Sequence, residues 1–308
     1  MSVEMYVGPQ GLTISHGGTF AFTDLRGEIA SGSEHGMFSN DTRFVSSYRL
    51  YTNGEPCVLL SSGAPTSYLA RVYLTNPTFP TEDGEVAQGT LAVVLTRAAS
   101  EGIHEDVDVT NHGMHPVRFN LELAIRSDFA DLFEVKAHRF VRRGRITTDV
   151  RDDGLEVRTA YTHRDFEREL CYRFGHSGSR PVYANGRASF DVRLEPGEAW
   201  HTCVSYHFLR DGAGGGPERG CADGYTHDLF DDIQRQWLAS ATRLTSANEE
   251  VYRFYRRSVE DLGGLRLYEH DAGPDVWVPA AGVPWFVALF GRDSLITSLQ
   301  AMLVNPGF

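Results

Sequence analysis

From about residue 11 to residue 210 the chain alternates short runs of β-branched and aromatic residues with clusters of Gly, Asn, Asp and Pro, and this alternation constrains its folding more than any other feature. Gly18-Thr-Phe20-Ala-Phe22-Thr has the texture of a strand. The run from Arg43 to Tyr51 leads into Asn53-Gly54, a pair that tolerates the positive φ of a tight primed turn, so a hairpin is predicted there. Further strands are predicted at 69–75, 91–98, 103–111, 117–126, 135–141, 146–150, 154–161, 169–174, 187–194 and 200–208. So many short strands with few helical patterns between them predict antiparallel sheets packed face to face, because two sheets bury a core that one would leave wet. The fold class expected is therefore mainly β, a large antiparallel β-sandwich.

The pattern changes after the glycines of 211–220, which mark a loop or boundary. Leu229, Phe230, Ile233, Trp237 and Leu244 then recur at helical spacing, with Thr226 as N-cap. A second helix is signalled by Ser246-Ala-Asn-Glu249, read as a capping box, and Gly263-Gly264 is read as its left-handed end. Leu295, Ile296, Leu299, Met302 and Leu303 mark a third helix. The domains expected are a sandwich over 1–222, a linker helix over 223–246 and a helical region over 247–308.

Composition excludes several functions. A chain of 308 residues with a net charge of −12 has no electrostatic footprint for nucleic acid or an anionic membrane, and a neutral ligand fits it better. No run approaches the ~18 apolar residues of a membrane helix, and the amino terminus lacks a secretory pattern. Cys57, Cys171, Cys203 and Cys221 are too far apart for a zinc or redox motif and are read as buried thiols in a reducing, cytoplasmic setting. The histidines show no metal spacing, and neither a nucleophile elbow nor a phosphate loop is present. No metal and no cofactor are expected.

The chemistry concentrates at Trp277, Trp285, Phe286, Phe290 and Gly291-Arg292-Asp293-Ser294. A guanidinium and a carboxylate each make paired hydrogen bonds to neighbouring hydroxyls, and aromatic rings offer flat faces to the C–H side of a sugar. The competing structural reading has Asp293 or Ser294 capping the third helix, Arg292 in a surface ion pair and the aromatics in a core. Upstream, Asp41 and Arg43 alternate onto one strand face, where an ion pair that fixes a loop is favoured. The stretch from Asp128 to Glu134 reads as a strand running into a turn.

Three motifs in order, Gly36-Met-Phe-Ser-Asn-Asp41-Thr42-Arg43-Phe44 through Asn53-Gly54, Asp128-Phe-Ala-Asp131-Leu-Phe133-Glu134, and Pro284-Trp285-Phe286 with Leu289-Phe290-Gly291-Arg292-Asp293-Ser294, resemble bacterial amylo-alpha-1,6-glucosidase and glycogen-debranching-type proteins. The resemblance implies an N-terminal β-sandwich followed by the first helices of an (α/α)6 six-hairpin toroid, begun over 247–308, and a glycoside hydrolase acting on α-glucosides. It also implies that Arg292, Asp293, Trp285, Phe286 and Trp277 bind substrate, with Asp293 a binder beside the scissile bond and the catalytic carboxylates on later helices. The chain departs from the family by stopping at Phe308, so no catalytic residue is assigned and the isolated chain is expected to be an inactive fragment. The partner expected is an oligosaccharide or glucan. The alternatives are a non-catalytic carbohydrate-binding or docking sandwich, and a helical stub that self-associates through its incomplete helical domain.

Overall fold

The computed structural model describes residues 11–81, 84–151, 154–175, 178–217, 227–268 and 276–306. Its strands are antiparallel and form one nine-stranded and one five-stranded sheet, with a four-stranded sheet from 12 to 45 built against them. The five-stranded sheet runs Val182–Ala184, Arg187–Leu194, Val117–Arg126, Ser47–Thr52 and Glu55–Pro56. At the centre of the larger sheet, Ile103–Asn111 lies between Leu91–Ala99 and Ala199–Arg210.

Two-residue periodicity explains why these strands pack as they do. Along Val117–Arg126 every second residue, Val117, Phe119, Leu121, Leu123 and Ile125, is buried. They join Val93, Leu95, Val107 and Val109 of the larger sheet in one hydrophobic cluster, so the two inner faces make a single core. Asn53 (φ 54°) and Gly54 (φ 82°) form the expected primed turn between Thr52 and Glu55.

Two strand expectations fail for physical reasons. The run from 43 to 51 is two strands, Thr42–Val45 in the four-stranded sheet and Ser47–Thr52 in the five-stranded one. They divide at Ser46, whose amide donates to the Arg126 carbonyl (2.8 Å). The apolar run at 135–141 is not a strand. Asp131 accepts a hydrogen bond from the Phe133 amide (2.8 Å) and caps a short helix, α1 (Leu132–Lys136), which buries Leu132 and Val135. Local capping outweighs the β-propensity of a run whose remaining apolar residues, Phe140 and Val141, are exposed.

Beyond the sandwich stand α2 (His227–Ser240), α3 (Glu249–Gly264) and α4 (Gly291–Ala301), with a two-stranded ribbon of Arg266–Tyr268 and Trp277–Pro279 between the last two. The expected cap at Thr226 and the thiol of Cys221 lie outside the described residues. Asn248, not Ser246, caps α3: its Oδ1 accepts from the Glu250 and Val251 amides, while Ser246 Oγ accepts from the Asn248 amide. Nor do Gly263 and Gly264 form a left-handed end. Both lie inside α3, where a Cβ would stand 2.6 Å from the Trp237 ring at Gly263 and 2.5 Å from Ser67 Oγ at Gly264, so close packing is what requires glycine. No helix among the described residues is long and apolar enough to cross a membrane.

His16 ends the first strand where the sandwich meets Gly263 and Arg266. Burial, with the Arg266 guanidinium adding to it, pushes its imidazole down to about 4. A histidine held neutral in the fold but free to protonate when unfolded stabilises the protein above pH 6.5 and loses that contribution as pH falls towards 4. Thermal unfolding between pH 7 and pH 4 should show a loss of up to about 3 kcal/mol that is missing in His16→Gln. Parallel pH profiles for the two proteins would refute this assignment.

Candidate functional site

Two backbone hydrogen bonds zip distant parts of the chain together: the Leu132 amide donates to the Asp41 carbonyl (2.7 Å) and the Arg43 amide to the Ala130 carbonyl (2.9 Å). Beneath this seam Phe20, Phe38, Ala130, Leu132, Val135 and Val287 form a separate hydrophobic cluster, flanked by Leu267, Val283 and Trp285. The three sequence motifs thus pack on one another although 258 positions separate Gly36 from Ser294.

Arg43 locks the junction. Its Nε and Nη2 donate to the two oxygens of Asp128 (3.2 and 2.5 Å), and Nη1 donates to the carbonyls of Ser33 (2.7 Å) and His35 (3.1 Å). The side chain is fully buried, and a guanidinium so placed is tolerable only with a carboxylate and carbonyls around it. The loop-fixing ion pair expected of Arg43 is present, but its partner is Asp128; Asp41 stays exposed. Phe129 sits at φ 54°, a left-handed conformation for a buried aromatic residue, next to the aspartate that faces Arg43.

Against this frame the loop before α4 folds back on itself, Gly282 and Phe286 exchanging two backbone hydrogen bonds (3.1 and 2.9 Å). Buried Val287 anchors it, and Ser294 Oγ donates to the Pro279 carbonyl (2.8 Å). Phe290 is the N-cap of α4 and gives no side-chain hydrogen bond, so neither Asp293 nor Ser294 serves that purpose. Between loop and sandwich lies a cleft of about 470 Å³, lined among others by Asp41, Phe133, Arg210, Tyr268, Trp285 and Phe290. Its size and its mixture of rings with a few polar groups suit a small polar ligand.

The residues singled out in the sequence take different places. Trp285 lines the cleft. Phe286 stands beside it, its ring under the Lys136 ammonium (4.7 Å) and edge-on to Phe290 (5.5 Å). Trp277 packs edge-on against Trp237 (5.8 Å) near the Arg266 guanidinium, in the helical joint rather than on the cleft wall. Arg292 and Asp293 lie 3.5 Å apart in the first turn of α4, their side chains 82% and 43% exposed, beyond the lining residues. Asp41 and Phe133 belong to motifs read in the sequence as structural, and the signal that relates them to Trp285 is the order of the three motifs. Arg210, at the end of Ala199–Arg210, carries no local signal at all.

A second cleft, of about 430 Å³, opens on the other side of α1 and shares Asp41 with the first. Asp131, Glu134, Phe140, Tyr161, His163 and Phe166 contribute to its wall. Glu134 accepts from Arg143 (2.8 Å).

Residues 14–205 match the profile described as the N-terminal domain of (some) glycogen debranching enzymes. No curated protein matches the chain. Among solved structures, a protein from the human microbiome assigned as a kojibiose phosphorylase aligns at a TM-score of 0.56 with 8% identity, over 82% of this chain and 39% of the other. The chain thus spans well under half the length of that protein, and at this identity the likeness is one of fold. A protein of Escherichia coli K12 assigned as an aldose 1-epimerase aligns at 0.35 with 9% identity, over 65% of this chain and 99% of the other.

Proposed function

Since the chain belongs to the family of N-terminal domains of glycogen debranching enzymes, matched over residues 14–205, we propose that it is the saccharide-binding N-terminal part of a glycoside hydrolase acting on α-glucosides. The observation that carries this reading is the convergence of the three motifs on the cleft holding Asp41 and Trp285. A pyranose stacks its C–H face on an indole and offers its hydroxyls to a carboxylate and a guanidinium, which Trp285, Asp41 and Arg210 supply. Arg292 and Asp293, in the first turn of α4, reach the part of the sugar that projects beyond the cleft.

Bond cleavage belongs elsewhere. Glycoside hydrolysis takes a proton donor and a second carboxylate about 5–9.5 Å apart; Asp41 is the one carboxylate among the described residues lining this cleft, and those across α1, Asp128, Asp131 and Glu134, are engaged by Arg43, the cap of α1 and Arg143. On this reading residues 1–222 form the sandwich, 223–246 a linker helix and 247–308 the opening of a six-hairpin toroid. The exposed apolar residues Leu295, Leu299 and Leu303 are the surface that further helices of such a toroid cover. Left uncovered, the same face makes the protein self-associate, which light scattering measures.

Titration calorimetry with maltooligosaccharides tests the reading. Binding is expected, Trp285→Ala should weaken it at least tenfold, about 1.4 kcal/mol, and Asp293→Asn should weaken it less. The purified chain should release no glucose from limit dextrin. Failure of every α-glucan to bind overturns the proposal, and so does robust turnover abolished by Asp293→Asn.

A further inference from the structure

We propose that the second cleft, across α1 from the first, is another saccharide subsite, and that a single neutral oligosaccharide lies over α1 with its units in both. This rests on the saccharide reading of the Trp285 cleft and adds to it a length requirement and a set of residues.

The two clefts are contiguous. Asp41 lines both, and α1 divides them: Phe133 faces the Trp285 side, while Asp131 and Glu134 face the other. Each cleft, at about 470 and 430 Å³, lies near the small end of ligand sites, so a chain of several sugar units needs both.

The rim of the second cleft carries two rings that the core does not use. Phe140 and Phe166 are 41% and 39% exposed. Neither ring hangs free. The Arg43 guanidinium stacks on Phe140 at 5.0 Å and the Arg168 guanidinium on Phe166 at 3.8 Å, with Tyr161 meeting Phe166 edge-on at 6.0 Å. Rings held in this way lose little freedom when a flat ligand face settles on them, which is the property a stacking platform needs.

Polar groups complete the site. Asp41 and Asp131 are exposed carboxylates that form no ion pair among the described residues; Asp131 commits one oxygen to the cap of α1 and Asp41 one to the Thr42 hydroxyl (3.2 Å). The others remain as acceptors for hydroxyls, and His163 adds a ring nitrogen. The wall sets Asp41, Asp128, Asp131 and Glu134 against Arg142 and Arg143, so its charges partly offset one another and a neutral polyol meets acceptors, donors and apolar faces together.

The test is calorimetry on the full chain with glucose, maltose and maltooligosaccharides up to seven units. Affinity is expected to rise at least tenfold between maltose and the heptasaccharide. Phe140→Ala and Phe166→Ala, examined separately, should each remove most of that gain while leaving maltose affinity unchanged, whereas Trp285→Ala should weaken both ligands. Because the two rings sit on different segments, one variant remains informative if the other disturbs its own loop, as thermal unfolding will report. Affinity that does not depend on length, or a length gain untouched by both substitutions, overturns the second subsite and leaves the first standing. If no saccharide binds at all, the first reading falls and takes this one with it.

Discussion

Arg97→Met is expected to destabilise the protein by about 3–5 kcal/mol, because it strands a carboxylate at the centre of the sandwich. Glu105 is 0% exposed and accepts from every donor around it: Arg97 Nε and Nη2 (2.8 and 2.5 Å), the Tyr48 hydroxyl (2.8 Å) and the Tyr206 hydroxyl (3.2 Å). Arg97 also donates to the Gly27 carbonyl (3.1 Å) and lies over the Tyr48 ring (4.7 Å). Burial, with the charge of Glu105 adding to it, pushes both tyrosine hydroxyls well above their ordinary range, so they stay protonated and donate. Removing the guanidinium leaves the negative charge with two neutral donors, which do not replace a cation in a medium of low polarity. The midpoint of thermal unfolding should fall by about 10 °C. The double replacement Arg97→Met with Glu105→Leu should recover much of the loss, since an apolar pair has no desolvation penalty to offset. Denaturant unfolding of Arg97→Met, Glu105→Leu and the double variant gives the coupling directly; Arg97→Met within about 0.5 kcal/mol of the parent would show that this network adds little to the fold.

Trp237→Ala should cost the helical region about 3–5 kcal/mol while sparing the sandwich. The indole is the centre of the joint. Its Nε1 donates to the Val259 carbonyl (2.7 Å), Trp277 meets it edge-on, the Arg266 guanidinium lies over it at 4.7 Å, and α3 approaches so closely that only a glycine fits at 263. Removing the ring opens a cavity between rigid helices and leaves the Val259 carbonyl without this donor. Hydrogen exchange should accelerate throughout α3 and remain unchanged in Ile103–Asn111. Equal acceleration in both would mean that the helices and the sandwich unfold as one unit.

The candidate site was only partly legible in the sequence. Trp285 stood out because tryptophan is rare and flanked here by other aromatics, and the structure sets it on the cleft wall. Trp277 gave the same signal and packs into the joint, since scarcity and clustering do not distinguish a ring that meets a ligand from one that meets another ring. Strand alternation places Asp41 and Arg43 on one face, where they can pair with each other or with the second domain. The actual partner, Asp128, arrives from 85 positions away through a strand pairing that no local pattern announces. Gly263 and Gly264 show the same limit: a helix-ending pair and a pair that lets two elements touch are written identically.

By itself the sequence determined the mainly β class, the position of most strands, the Asn53-Gly54 turn and the family, because each depends on side-chain periodicity, local backbone preference or an ordered set of motifs. Only the tertiary structure decided which acids stay free and which are consumed by buried arginines, that a capped helical turn at Leu132–Lys136 divides two clefts, and that Arg292 and Asp293 stand outside the cleft lining. The physical reason is that periodicity and turn chemistry act over a few residues, whereas the fate of a charge depends on whatever the fold brings within about 4 Å of it, often from far along the chain.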